Sequence, residues 1–133
     1  QLWRTLARSR VAVLRSGKKL CIPWRMVDLL CMGACTLFDA QPLPEWPVPL
    51  ADGVHFASLR IDRPVESAVD PEEYAKVAPA VERALADEAG RERIRVEAAR
   101  YFDEHAAPEP VADWILSRAA AAAARAGARE GRN

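Results

Sequence analysis

RVAVLRSGKKLCIPWRMVDLLCMGACTLFD, residues 10–39, decides the architecture. Its first five residues are valine-rich and run into Arg15-Ser16-Gly17, which predicts a buried strand ending in a turn. Pro23 suits the first turn of a helix over 24–32, where Met26, Val27, Leu29, Leu30 and Met32 make most of the surface apolar. Gly33 ends that helix. ACTLF, residues 34–38, then reads as a second short buried strand stopped by Asp39. Strand, helix and strand with short connections form the right-handed βαβ unit of a parallel sheet.

Outward from this unit, QPLPEWPVP (41–49) holds four of the chain's ten prolines and is a loop. Loops at the carboxyl ends of parallel strands are where ligands bind. VHFASLRI (54–61) alternates enough to be a third strand, and residues 1–8 place Leu2, Trp3, Leu6 and Ala7 at helical spacing. The remainder is helical. Asp70 as N-cap, Pro71 in the first turn and Glu73 completing a capping box start a helix with Tyr74, Val77, Val81 and Leu85 on one face. Gly90 should break it, and a second helix over 91–104 turns Ile94, Ala98, Tyr101 and Phe102 inward. Pro108 and Pro110 interrupt before a last helix over 111–126, which carries Val111, Trp114, Ile115 and Ala119 and stops at Gly127. The expectation is an α/β domain over 1–117, truncated at its N-terminus. An alanine-rich helix end and a frayed tail follow over 118–133.

With 133 residues the chain suffices for one domain. Nineteen basic residues balance nineteen acidic ones, so no global field favours nucleic acid or an anionic membrane. No secretory signal is readable, and no apolar run reaches the ~20 residues that span a bilayer. Cys21, Cys31 and Cys35 are an odd, clustered set without a disulfide framework, and His55 and His105 lack zinc-type spacing. These features predict reduced thiols, a cytoplasmic setting and no metal.

The candidate chemistry lies on the helix over 24–32. Arg25 and Asp28 stand three apart on one face of an apolar helix, near the turn carrying Lys18 and Lys19. A nucleoside diphosphate-sugar needs a carboxyl group for its ribose hydroxyls and cations with a helix start for its diphosphate. It also needs a small residue at a close approach.

The pattern Arg-x-x-Asp-x-x-x-x-Gly, a short apolar strand and an acidic residue resembles the donor segment of glycosyltransferases with two Rossmann-like domains. The exostosin-like and spore-maturation-type group 1 relatives are the nearest likenesses. Arg25, Asp28, Gly33, Ala34, the strand 35–38 and Asp39 carry it. ADGVHF (51–56) resembles the segment after the proline-rich loop, and residues 88–116 resemble the family's closing helices, so the likeness runs in order over 9–117. The resemblance implies a Rossmann-like parallel sheet flanked by helices with a helical C-terminal segment. It implies that Asp28 holds the donor ribose and that Arg25 lies near the diphosphate, with Lys18 or Lys19 assisting. Gly33 and Ala34 match the small pair, and Asp39 the acidic residue at the strand's end. It also implies a nucleotide-sugar donor as substrate, no metal or other cofactor, and a catalytic base from a separate N-terminal acceptor domain. The isolated chain is then inactive. Many such enzymes place a glutamate eight residues before the ribose carboxyl; here that position is Leu20.

Plainer readings stand beside these. Arg25 and Asp28 can form an intrahelical ion pair, Lys18 and Lys19 can be solvated loop charges, and Asp39 can cap the following turn. His55 and His105 read as structural residues, and Trp46 as either a ligand cover or a plug. The competing class is a non-catalytic α/β module that binds a ligand or a protein. A truncated phospho-acceptor domain is disfavoured by the lack of its acidic cluster and switch lysine.

Overall fold

A computed structural model of the chain describes residues 2–16, 22–39, 48–61 and 70–130, with side chains to residue 126. Lys18, Lys19, Leu20, Cys21, Trp46, most of the proline-rich loop and the last three residues lie outside the described residues. The elements run α1 (Leu2–Arg8), β1 (Ala12–Leu14), α2 (Arg25–Cys31), β2 (Thr36–Phe38), β3 (Ala57–Ser58), a 3-10 turn (Pro71–Lys76), α3 (Val77–Ala86), α4 (Glu88–Tyr101), a π-helical turn (Phe102–Ala106) and α5 (Pro108–Glu130). The three strands form one parallel sheet in the order β1-β2-β3, with Ala12 opposite Thr36 and Leu37 opposite Ala57. The class is therefore α/β, with a small sheet and mostly helical mass.

The sheet separates two apolar layers. On one face Ala12 and Leu14 of β1 and Phe38 of β2 pack with Met26, Leu29 and Leu30 of α2 and with Ala98 and Tyr101 of α4. On the other, Leu37, Leu59 and Ile61 pack with Ala80 of α3, flanked by Val77 and Val81. Alternation along each strand sends neighbouring residues to opposite layers, which is why Leu37 and Phe38 belong to different clusters. Gly33 closes α2 in the left-handed conformation (φ +55°). A Cβ there would sit 3.1 Å from the Arg95 carbonyl oxygen and 3.4 Å from the Ala99 Cβ, so glycine also admits α4.

Several boundaries differ from the sequence reading. The third strand shrinks to two residues because a turn occupies 53–55 and Arg60 takes a left-handed backbone (φ 54°). The break between α3 and α4 falls at Asp87, not Gly90. The Asp87 carboxyl accepts the Gly90 N–H at 2.8 Å, so the glycine belongs to the new helix's first turn. Pro108 starts α5 rather than interrupting ahead of it, and the helix passes Gly127 to Glu130 without a break at residue 117. Trp114 and Ile115 on this helix are 38% and 53% exposed, beside a more exposed Leu116. The N-cap at Asp70 holds, accepting the Glu72 N–H at 3.0 Å.

Candidate functional site

In a parallel βαβ unit the connecting helix starts on the side of the strands' carboxyl ends and returns to their amino ends. Arg25 and Asp28, in the first turn of α2, therefore lie toward the carboxyl edge. Gly33 and Ala34 lie at the opposite end of the unit, where Gly33 packs against α4 and its carbonyl accepts Arg95 Nε–H at 3.0 Å. The fold thus divides the proposed donor set. The small pair serves helix packing, and among the described residues of that set Arg25, Asp28 and Asp39 share the carboxyl side, Lys18 and Lys19 lying outside them.

Asp39 is 2% exposed and accepts the Ser16 N–H at 2.6 Å. Together with the Asp39 N–H donating to the Leu14 carbonyl at 3.3 Å, this ties the ends of β1 and β2. One oxygen of its carboxyl is thereby engaged with the protein's own backbone, in keeping with the structural reading of Asp39. Arg25 and Asp28 are not an ion pair either. The Arg25 guanidinium lies 4.4 Å over the ring of Trp24, which is 68% exposed, a cation–π contact at the surface. Asp28 Oδ2 is buried and has no hydrogen-bond partner among the described residues. A buried oxygen left without any partner costs about 1–3 kcal/mol. The helix start is a weaker anion cradle than expected, because α2 has seven residues and Trp24 supplies no side-chain cap.

A second polar cluster joins His55 and His105, which the sequence reads as structural, to the inward-facing Tyr101. His55 Nδ1 accepts the Ala51 N–H at 2.9 Å, and its ring lies 4.7 Å from that of Tyr101, which in turn meets His105 at 5.1 Å. Burial pushes the Tyr101 hydroxyl up to about 12, and it donates to the Val48 carbonyl. Burial pulls the His55 imidazole below its ordinary 6.5; nearby Arg100 and His105 add to this and Glu97 opposes it. The nearby π-helical turn places His105 within reach of Tyr101. The only available signal was the spacing of aromatic and imidazole groups between distant segments, which a one-dimensional pattern does not register.

A depressed folded-state pKa means the neutral imidazole is the form that folding favours. That contribution is complete above pH 6.5 and is lost as pH falls from there through the lower folded value, since the unfolded chain takes up the proton first. The urea midpoint is expected to hold between pH 7 and 8 and to decline below about pH 6.5. His55→Asn, which keeps an acceptor for Ala51 but does not titrate, is expected to flatten the decline. An equal slope in both proteins would remove His55 as its source.

Cys35 is 2% exposed, and burial pushes its thiol up despite opposing attraction from Arg91 and Arg95. It is a poor nucleophile. No group of three or more histidine, cysteine or acidic side chains able to hold a metal occurs among the described residues, and no helix there is long and apolar enough to cross a membrane. Compared with known proteins, the chain matches no family model, no characterised sequence and no solved structure.

Proposed function

We propose that this chain is the C-terminal, nucleotide-sugar-binding part of a glycosyltransferase built from two Rossmann-like domains. The observation that carries the reading is the buried Asp28 oxygen, without a hydrogen-bond partner among the described residues, on the helix of a parallel βαβ unit, in the position where the sequence pattern expects the ribose contact. Ribose hydroxyls are donors that would satisfy such an oxygen. Arg25, held by its stack on Trp24, supplies positive charge one turn earlier for the diphosphate. As the sugar departs, negative charge grows on that diphosphate, and a preorganised guanidinium lowers the barrier by stabilising it. The base that activates the acceptor belongs, on this reading, to another domain. Trp114, Ile115 and Leu116 on α5 are exposed apolar side chains that such a domain would cover.

The test is thermal unfolding with uridine or guanosine diphosphate. At ten times Kd, binding adds about 1.4 kcal/mol and raises the Tm by a few degrees. Asp28→Ala is expected to abolish the rise, while the free protein becomes no less stable because an orphaned polar atom has gone. Absence of any shift with either nucleotide would favour the alternative, a non-catalytic α/β binding module. A variant that loses both stability and binding would make Asp28 a structural residue.

A further inference from the structure

A cleft of about 420 Å³ opens on the α3 face of the sheet, away from the layer that holds α2. Its floor is apolar, formed by Leu37, Ala80 and Ile94, and its walls carry Arg60, Arg83, Arg91 and Arg93. Arg91 has a structural duty: its guanidinium donates to the Ala84 carbonyl at 2.7 Å and to that of Leu85, closing the end of α3. The side chains of the other three have no hydrogen bond or ion pair among the described residues, and all three residues are exposed.

The two acids at the rim have structural duties as well. Asp52 accepts the Ser58 N–H at 2.7 Å and Asp87 accepts the Gly90 N–H at 2.8 Å. Four arginines against two aspartates leave this cleft with two excess positive charges in a chain whose totals balance at nineteen each. Like charges gathered over an apolar floor repel one another, and a bound dianion turns that repulsion into attraction. Guanidinium groups match phosphate oxygens in bidentate geometry. The volume lies in the range of roughly 300–1,000 Å³ typical of small-molecule sites.

We propose that this cleft binds a small phosphorylated molecule, its phosphoryl group among Arg60, Arg83 and Arg93 and its apolar part on Leu37, Ala80 and Ile94. The site is separate from Asp28 and does not depend on the donor-site reading. Inorganic pyrophosphate, which has no ribose, is the first probe, titrated at constant ionic strength. At tenfold over Kd it is expected to raise the Tm by roughly 5 °C. Arg83→Gln with Arg93→Gln is expected to weaken binding at least about tenfold, and Asp28→Ala to leave it unchanged. Phenyl phosphate should bind more tightly than inorganic phosphate, reporting the apolar floor. In the unaltered chain the titration should shift the Nε–H resonances of Arg60, Arg83 and Arg93, which keeps the test open if the double variant unfolds. Unshifted arginine resonances, full affinity in a folded double variant, or loss of pyrophosphate binding in Asp28→Ala would each overturn the proposal.

Discussion

Phe56→Ala is expected to remove about 3–5 kcal/mol of stability, the largest loss of any single truncation considered. Phe56 is fully buried, and its ring stands edge-on to that of Phe38, with centroids 5.8 Å apart and planes at 87°. Both rings belong to the cluster that includes Met26, Leu29, Leu30, Ala98 and Tyr101. Truncation therefore loses the transfer energy of the ring and the edge-to-face term, and leaves a cavity that α2, β2 and α4 cannot all close onto. Domains of this size hold a net 5–15 kcal/mol, so the variant should sit near the limit of folding. Guanidinium unfolding checks this: the midpoint should fall with the slope conserved. A loss below about 1 kcal/mol would mean that this layer is not packed as described. Because α2 lies on that layer, the proposed nucleotide binding would weaken alongside stability, unlike in Asp28→Ala, where the two effects separate.

The contrast between Phe56 and the arginine cleft shows what a linear reading can reach. Pro23, the apolar run after it and Gly33 form a self-contained signal, since helix start, buried face and helix stop all lie within eleven residues. That signal placed α2 and both flanking strands correctly. At Asp87 and Gly90 two local rules competed. A capping carboxyl reached the N–H three residues on, and glycine as breaker lost to aspartate as cap. At Arg60 the alternating pattern predicted strand, but the Ser58 hydroxyl accepts the Arg60 N–H at 3.0 Å and turns the chain out of the sheet. The cleft was beyond reach for a different reason. Its four arginines come from the end of β3, from α3 and from α4, and only tertiary packing gathers them. In the linear sequence each is balanced by an acid nearby. Asp28 was legible as a charge on an apolar helix, but its unpartnered oxygen depends on what surrounds it in space.

Asp39→Ala is expected to cost about 1–3 kcal/mol, whether or not nucleotide is present. Its Oδ1 accepts the Ser16 N–H in an environment where both residues are nearly inaccessible, at 2% and 5% exposure. Removing the carboxyl takes this acceptor away from a buried backbone donor, a larger penalty than the hydrogen bond was worth. The consequence extends beyond the pair, because the tie joins the ends of β1 and β2 where the chain leaves the sheet toward α2. Hydrogen exchange should therefore quicken at Leu14, Ser16 and Phe38 well before global unfolding, while amides of α4 such as Ala98 stay protected. A ligand-contacting Asp39 predicts the opposite result: normal stability and exchange in the free protein, with the defect appearing only on titration of a nucleoside diphosphate. The buried geometry favours the first outcome. It leaves Asp28 as the acidic side chain on the carboxyl side of the βαβ unit, among the described residues of α2 and β2, that is not already bonded to backbone.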